Sequence, residues 1–522
     1  MRQWLPEGHP VWLVIGAVGQ MDTGAFHALR KTGGAGTAGY DPDMLVTVLV
    51  WAYAHKVTSS REMERRCQAD VAFRVICAGN LPDHSTLARF RREFPAAVGD
   101  FFAQVLVLCA RLGMGKLGAV ALDGTKVAGS ASKAANRTEE TLRKLARETA
   151  AAHAAADEAE DELFGAGRRG DEVPGEPWSP RRRDERIAAA LADLEAEREA
   201  ARQADEGKAA EFRARMAAGQ ATGPAPKQAA VELAREGVAR ETARQQARVE
   251  EWERARAAGR PAPRRPRAPQ EYCRVRRAQA KLDKALARAA EAGRKAAEDK
   301  AAGKDKAAVR NATDPDSRLM PVRGGGFIQG YNAQNVASED GLVIATELTS
   351  DPADCQWYEP MTARAQDVAA LTGAHRPGGP DRDGSIGLVL ADAGYCSEGN
   401  LTCDGPDRLI ATGKRRDLEK AARAAGPGDD STADDSGDDG TALAAMAARL
   451  ATEDGITAYR RRGHIAETPH GHIKHNMGFR QLTMRGKANA SAEWTFTCAV
   501  HNLFKAISSG RLTSQTLAAL PR

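Results

Sequence analysis

The chain has 522 residues, enough for two or three domains with a sizeable core. Its eight cysteines (67, 77, 109, 273, 355, 396, 403, 498) show no C-x-x-C or His spacing suited to zinc, and they are too sparse for a disulfide scaffold, so they read as reduced thiols of a cytoplasmic protein. No stretch reaches the roughly 18 apolar residues of a membrane span, the run VWLVIGAV lacks the flanks of a signal peptide, and a net charge of +5 permits a nucleic-acid partner without requiring one.

Residues 1 to 115 have a helical pattern throughout. YDPDMLVTVLVWAYAHKV (40 to 57) offers Asp41 as N-cap and Pro42 at the first helical position. In the next segment Ser59 and Glu62 have capping-box spacing. After the break at Gly79 to Asp83 comes HSTLARFRREF, carrying Arg89, Arg91 and Arg92. Two helices joined by a short turn, the second basic, have the layout of a helix-turn-helix; solvent-facing arginines on a small bundle are the other reading. VGDFFAQVLVLCARLGM completes this N-terminal helical region.

Strand patterns begin at GAVALDGTKVAGS (118 to 130), where an apolar run leads into Asp123 and a glycine turn. An Ala/Arg/Glu-rich helical block, 138 to 310, then interrupts, broken at 168 to 183 and at 260 to 269. From 139 to 310 it holds five of the 26 aromatic residues, so the globular core lies on either side of it. Its charges form an exposed face, with a track along a DNA backbone as the second reading. FIQGYNAQNVAS, the turn Glu339-Asp340-Gly341 and LVIATELTS form a hairpin. A helix over 357 to 373, a strand ending in LADAGY and a third apolar run at 408 to 414 follow. Segment 426 to 440, with six aspartates, reads as a flexible acidic loop, and helices resume at 442.

This order predicts a mixed α/β sheet in which Asp123 and Asp392 end neighbouring strands. Two close carboxylates repel unless a cation lies between them, and Mg²⁺ suits such a pair because it takes oxygen ligands. A third carboxylate is expected from YRRRGHIAETPHGHIKHNMGFRQLTMRG (459 to 486), where Pro469 places Glu467 at a helix start with Thr468 as a possible cap. Lys474, seven residues on, shares its helical face. Arg460, Arg461, Arg462, Lys474, Arg480, Arg485 and Lys487 form a basic collar suited to a polyanion. The histidines at 464, 470, 472 and 475 lack H-E-x-x-H spacing and do not read as a zinc site.

On these residues the chain resembles the DDE transposases of bacterial insertion sequences, in the group with an InsH-type helical N-terminal domain. The resemblance rests on YDPDMLVTVLVWAYAHKVTSSREMERRC with LPDHSTLARFRREF, on ALDGTKVAGSAS, on GFIQGYNAQNVAS, on LADAGY and on AETPHGHIKHNMGFRQLTMRG with EWTFTCAVHNLFK. It implies a ribonuclease H-like catalytic domain, here 116–137 with 311–506, after a DNA-binding domain over 1–115. It also implies a catalytic and metal-binding triad, Asp123, Asp392 and Glu467, holding two Mg²⁺ or Mn²⁺ ions. The implied activity is cleavage at transposon ends and strand transfer into target DNA, by a homodimer on double-stranded DNA.

The family signature runs Tyr, two residues, Arg, three residues, Glu, six residues, Lys. The interval from Glu467 to Lys474 fits it. Upstream, Tyr459 stands eight residues before Glu467, and Gly463 occupies the arginine position with Arg462 one place earlier. That departure motivates the alternative of a catalytically inactive or domesticated DNA-binding derivative. A nuclease without strand transfer is a third reading.

Overall fold

The computed structural model describes residues 2–28, 39–148, 151, 180–218, 220, 223–260, 264–301, 308–322, 324–377, 384–413 and 441–520. The acidic segment 426 to 440 and most of the break at 168 to 183 lie outside them. The chain divides into two compact units, Met1–Asn136 with Asn311–Arg522, and Arg137–Arg310.

The first unit opens with α1 (Pro10–Val18), α2 (Gly24–Ala28), α3 (Pro42–Ala54), α4 (Ser60–Ala69), α5 (Val71–Cys77), α6 (His84–Glu93) and α7 (Val98–Arg111), followed by strand β1 (Val120–Ala128). α3 starts as its sequence dictates: the Asp41 side chain accepts from Asp43 N at 3.1 Å, and Pro42, which has no N–H to leave unpaired, takes the first position. Ser59 precedes α4 but makes no side-chain cap bond, so the expected capping box does not form; Glu62 turns to Arg66 at 3.0 Å instead. The segment through Cys77 is two helices because Asp70 caps the second, accepting from Ala72 N at 2.9 Å.

β2 (Asn136–Thr138) and β3 (Val309–Asn311) form a two-stranded ribbon where the chain enters and leaves the second unit. Its long helices are α8 (Pro180–Ala217), α9 (Ala230–Ala257) and α10 (Cys273–Ala301). Small apolar clusters hold it together, one of Leu142, Ile187, Ala190 and Leu194, another of Ala209, Ala229 and Leu233.

The first unit resumes with β4 (Arg318–Pro321), β5 (Phe327–Ser338), β6 (Val343–Thr349), α11 (Tyr358–Gly373), β7 (Leu388–Ala391), α12 (Glu398–Thr402), β8 (Asp407–Ile410), α13 (Ala442–Ala451), α14 (Glu453–Gly471), α15 (Lys487–Ser508) and α16 (Ser514–Ala519). The strands order as β6-β5-β1-β7-β8, with β4 also on β5. β5 is antiparallel to β1, β4 and β6, whereas β7 runs parallel to β1 and β8 parallel to β7. The fold is therefore α/β with a mixed sheet.

Alternation along the strands decides what each face meets. Val120, Leu122, Val389 and Ala391 join the main core, which contains the N-terminal helices and α15. Ala119, Ala121 and Leu390 point the other way, into a smaller core with Leu409, Met446, Leu450, Ile465 and Ala466 of β8, α13 and α14. Two further steps of the same alternation carry Asp123 and Asp392 to the α14 side. No single helix among the described residues is both long and apolar enough to cross a membrane.

The β5–β6 hairpin turns through Gly341 at φ +83°, a conformation that disfavours any side chain. It is pinned to α15 by Asn502, which accepts from Val343 N and donates to Val343 O, both at 2.8 Å, and by His501, whose Nε2 lies 2.9 Å from Gly341 O. His501 Nδ1 faces His472 Nδ1 at 2.9 Å. Burial pushes the His501 imidazole from its ordinary 6.5 down to about 3. The folded protein thus resists a proton that the unfolded chain accepts, and stability is full above pH 6.5 and falls as the pH drops toward 3. Thermal denaturation should show a loss of up to about 1.4 kcal/mol per pH unit below 6.5 from this group. His501→Gln should flatten that slope; an unchanged slope refutes the assignment.

Candidate active site

Asp123 lies within the body of β1 rather than at its end, because β5 goes on pairing with β1 as far as Ala128↔Gly330 while β7 stops at Ala391. Gly124 is accordingly a strand residue and not a turn. A Cβ on it would sit 2.6 Å from Asp354 Oδ1 and 2.8 Å from Gln334 Nε2, so a larger residue here would push those side chains aside. Asp392 directly follows β7 and caps the short turn Ala393–Tyr395, accepting from Gly394 N at 2.9 Å. Since Leu122 pairs with Ala391 in parallel register, Asp123 and Asp392 leave that pair side by side.

Arg462 of α14 joins the two acids. Its Nη2 is 2.8 Å from Asp123 Oδ1 and 3.5 Å from Asp392 Oδ2, which bounds the separation of those carboxylate oxygens at about 6.3 Å. On the other side of Asp123, Oδ2 lies 3.6 Å from His470 Nδ1, and His470 Nε2 meets Asn335 Nδ2 at 3.1 Å. Burial acts to raise the Asp123 carboxyl, but His470 and Arg462 outweigh it and hold the group below the usual range. At Asp392 burial and the Asp123 charge prevail over Arg462, and the carboxyl is pushed up. Environments thus move two adjacent acids in opposite directions, as functional carboxylate pairs do.

Asp354, on the chain between β6 and α11, adds a third acid beside this pair. Its Oδ1 accepts from Asn332 Nδ2 and Gln334 Nε2, both at 2.7 Å, and lies 3.5 Å from Lys126 Nζ. No periodic pattern marked Asp354 in the sequence. His470 was legible in principle: it falls eight residues, about 80° in projection, after Arg462.

α14 is longer than Pro469 suggests. The helix runs unbroken from Glu453 to Gly471 with Pro469 inside its last turn, and the chain then loosens into a π turn, His472–Asn476. Glu467 is therefore inside the helix near its C-terminal end rather than at a helix start, and Thr468 does not cap; its hydroxyl bonds back to His464 O. Glu467 is exposed. Among the described residues it has no hydrogen bond or ion pair, and the one group of three His, Cys, Asp or Glu ligand atoms all within 4.8 Å of one another is His27, Asp41 and Asp43 at the start of α3. Asp123, Asp392 and Glu467 do not form such a group among the described residues.

Lys474 does not project with Glu467. The π turn carries it to β1, where Nζ donates to Lys126 O at 2.9 Å and to Thr125 Oγ1. Tyr459 donates to Ala391 O at 3.3 Å and so holds the end of β7. Arg460, Arg480, Arg485 and Lys487 are exposed around this face. Of the arginines expected at a DNA surface on α6, Arg89 and Arg92 are exposed, whereas Arg91 is a correction: it lies four residues after Leu87 on the apolar side and is buried against Glu493 at 2.7 Å.

Fold and site together define an α/β protein with paired, strand-borne carboxylates under a basic helix. Residues 1–93 match the family model described as Transposase domain (DUF772), and residues 438–507 match the model described as Transposase DDE domain. Occurring in that order along one chain, these matches support an insertion-sequence DDE transposase. Transposases bind DNA, and a DDE domain implies use of a divalent metal in general. No curated protein and no solved structure matches the chain.

Proposed function

We propose that the chain cleaves DNA at transposon ends and joins the freed 3′-hydroxyl to target DNA, with Asp123, Asp392 and Glu467 as its acidic triad on a ribonuclease H-like domain. The observation that carries this reading is the guanidinium shared by Asp123 and Asp392. Two carboxylates so placed call for a cation between them, and a divalent ion fits the same oxygen donors. The strand order β6-β5-β1-β7-β8, antiparallel on one side of β1 and parallel on the other, supports the ribonuclease H-like assignment.

Asp123 and Asp392 would hold the metal, with Glu467 of α14 as the proposed third ligand. Two Mg²⁺ or Mn²⁺ ions held there would supply Lewis-acid stabilisation for an in-line phosphoryl displacement. The chain's own groups do the rest. Tyr459 fixes the end of β7, and His470, anchored on Asn335, fixes the Asp123 carboxylate. The exposed arginines around α14, with Arg89 and Arg92 on α6, bind DNA phosphates. Purified protein with end-containing DNA and Mg²⁺ should nick the ends and then give joined products; cleavage without joining would reduce the activity to a nuclease. Pairing two ends calls for a homodimer on DNA.

Because Arg462 competes for the same oxygens, Arg462→Gln should bind Mn²⁺ in the absence of DNA about tenfold more tightly, roughly 1.4 kcal/mol. Calorimetric titration measures this, and weaker binding in the variant would count against a metal between the two acids. The exposed Glu467 and the arginine lodged on the acids also favour a second reading, a DNA-binding derivative without catalysis. Intact DNA binding with no cleavage in either Mg²⁺ or Mn²⁺ would support it.

A further inference from the structure

α10 carries a feature that phosphoryl transfer leaves unused. Arg274, Arg277, Lys281, Lys284, Arg288 and Lys295 recur at intervals of three, four and seven, so at about 100° per residue they share a sector of about 80°. All six are exposed, and none makes an ion pair or side-chain hydrogen bond with another described residue. The arginines of α8 behave otherwise: Arg198 pairs with Glu139, Arg202 with Glu199 and Arg215 with Glu211. The stripe also avoids Val275, Ala278, Leu282 and Ala285, the less exposed positions of a helix that packs on α9. Like charges three and four apart destabilise a helix, so this spacing carries a standing cost in the free protein. A polyanion removes it by replacing mutual repulsion with phosphate contacts and counterion release.

We propose that the α10 stripe is a sequence-independent docking face for the phosphate backbone of double-stranded DNA. From Arg274 to Lys295 it extends about 31 Å, close to the roughly 34 Å of one duplex turn. Residues 273–301 contain no aromatic side chain on which unpaired bases could stack, which favours a duplex over a single strand. The inference rests on the transposase reading only for the identity of the polyanion and not on its chemistry.

The test uses the full chain with all six residues changed to Gln, a good helix former, titrated with a 30-base-pair duplex of arbitrary sequence over a salt series. The slope of log affinity against log salt should fall by about 0.9 for each phosphate that the stripe no longer neutralises, up to about 5 in all. Affinity at moderate salt should drop tenfold or more. A second variant that exchanges Arg for Lys and Lys for Arg at all six positions should keep wild-type binding and helicity. An unchanged slope in the Gln variant overturns the proposal, as does weakened binding in the charge-preserving variant. Tighter stripe-dependent binding of single-stranded DNA or duplex RNA also overturns it. Stripe-dependent binding without any cleavage would leave this inference standing and remove the catalytic one, while cleavage with an unchanged slope would do the reverse.

Discussion

Asp392→Asn should abolish cleavage of end-containing DNA in Mg²⁺, by roughly a thousandfold or more, equivalent to about 4 kcal/mol of barrier. Asn keeps the size of the side chain and can still cap the turn by accepting from Gly394 N. It removes the negative charge that a divalent ion needs. The side chain is 43% exposed, so its change leaves no buried vacancy, and Arg462 retains its shorter approach to Asp123. Thermal stability and DNA affinity should therefore stay near wild type, which separates a failure of chemistry from a failure of folding. Asp123→Asn should have the same effect on cleavage. Wild-type rates in either variant would refute a metal site on these strands. Glu467→Gln asks a narrower question. If it cuts normally, the acid pair stands and the third ligand must be sought elsewhere, with Asp354, whose charge acts on Asp392, the first candidate.

The sheet and the acid pair were legible in the sequence for one reason. Strand alternation is local, and in both VALD and LVLAD the acid falls on the same parity as the residues that meet α14. The position of Asp123 within its strand was not legible, because the length of β1 is set by its partner β5, some two hundred residues away. The geometry after Glu467 was hidden for a related reason. Proline rules predict a helix start at Pro469, whereas packing of Ile465, Ala466 and Pro469 under the sheet holds α14 together through it. Once the π turn intervenes, a count of seven residues no longer keeps Glu467 and Lys474 on one face. Arg91 was misread because composition outweighed periodicity. RFRRE looks like a basic surface, yet Leu87, Phe90 and Arg91 fall at the spacing of one buried face.

Arg91→Met should destabilise the protein by about 3 to 5 kcal/mol, a large share of the total stability of an ordinary domain. The Arg91 guanidinium donates to Tyr53 Oη and Glu493 Oε1 at 2.7 Å each and to Thr58 O at 2.9 Å. Glu493 is fully buried in α15, where Thr483 N and Met484 N also donate to its other oxygen at 2.8 and 3.0 Å. Removing the arginine leaves a carboxylate in the core without its counter-charge, and that unpaired charge is the main penalty rather than the loss of the pair itself. Glu493→Gln should cost a similar amount, since it leaves the buried guanidinium without its counter-charge and turns an amide NH2 toward the Arg91, Tyr53 and Thr483 donors that Oε1 accepts from. The double variant Arg91→Met with Glu493→Leu should recover much of the loss, because neither charge then remains to be desolvated. Urea titration measures all three, and a single-variant effect below about 1 kcal/mol would overturn the account. The network spans α3, α6 and α15, so it ties the N-terminal helices to the helix that supports the sheet. Substitution at Arg91 should accordingly weaken DNA binding only to the extent that the fold is lost, whereas Arg89 and Arg92 can be changed without loss of stability.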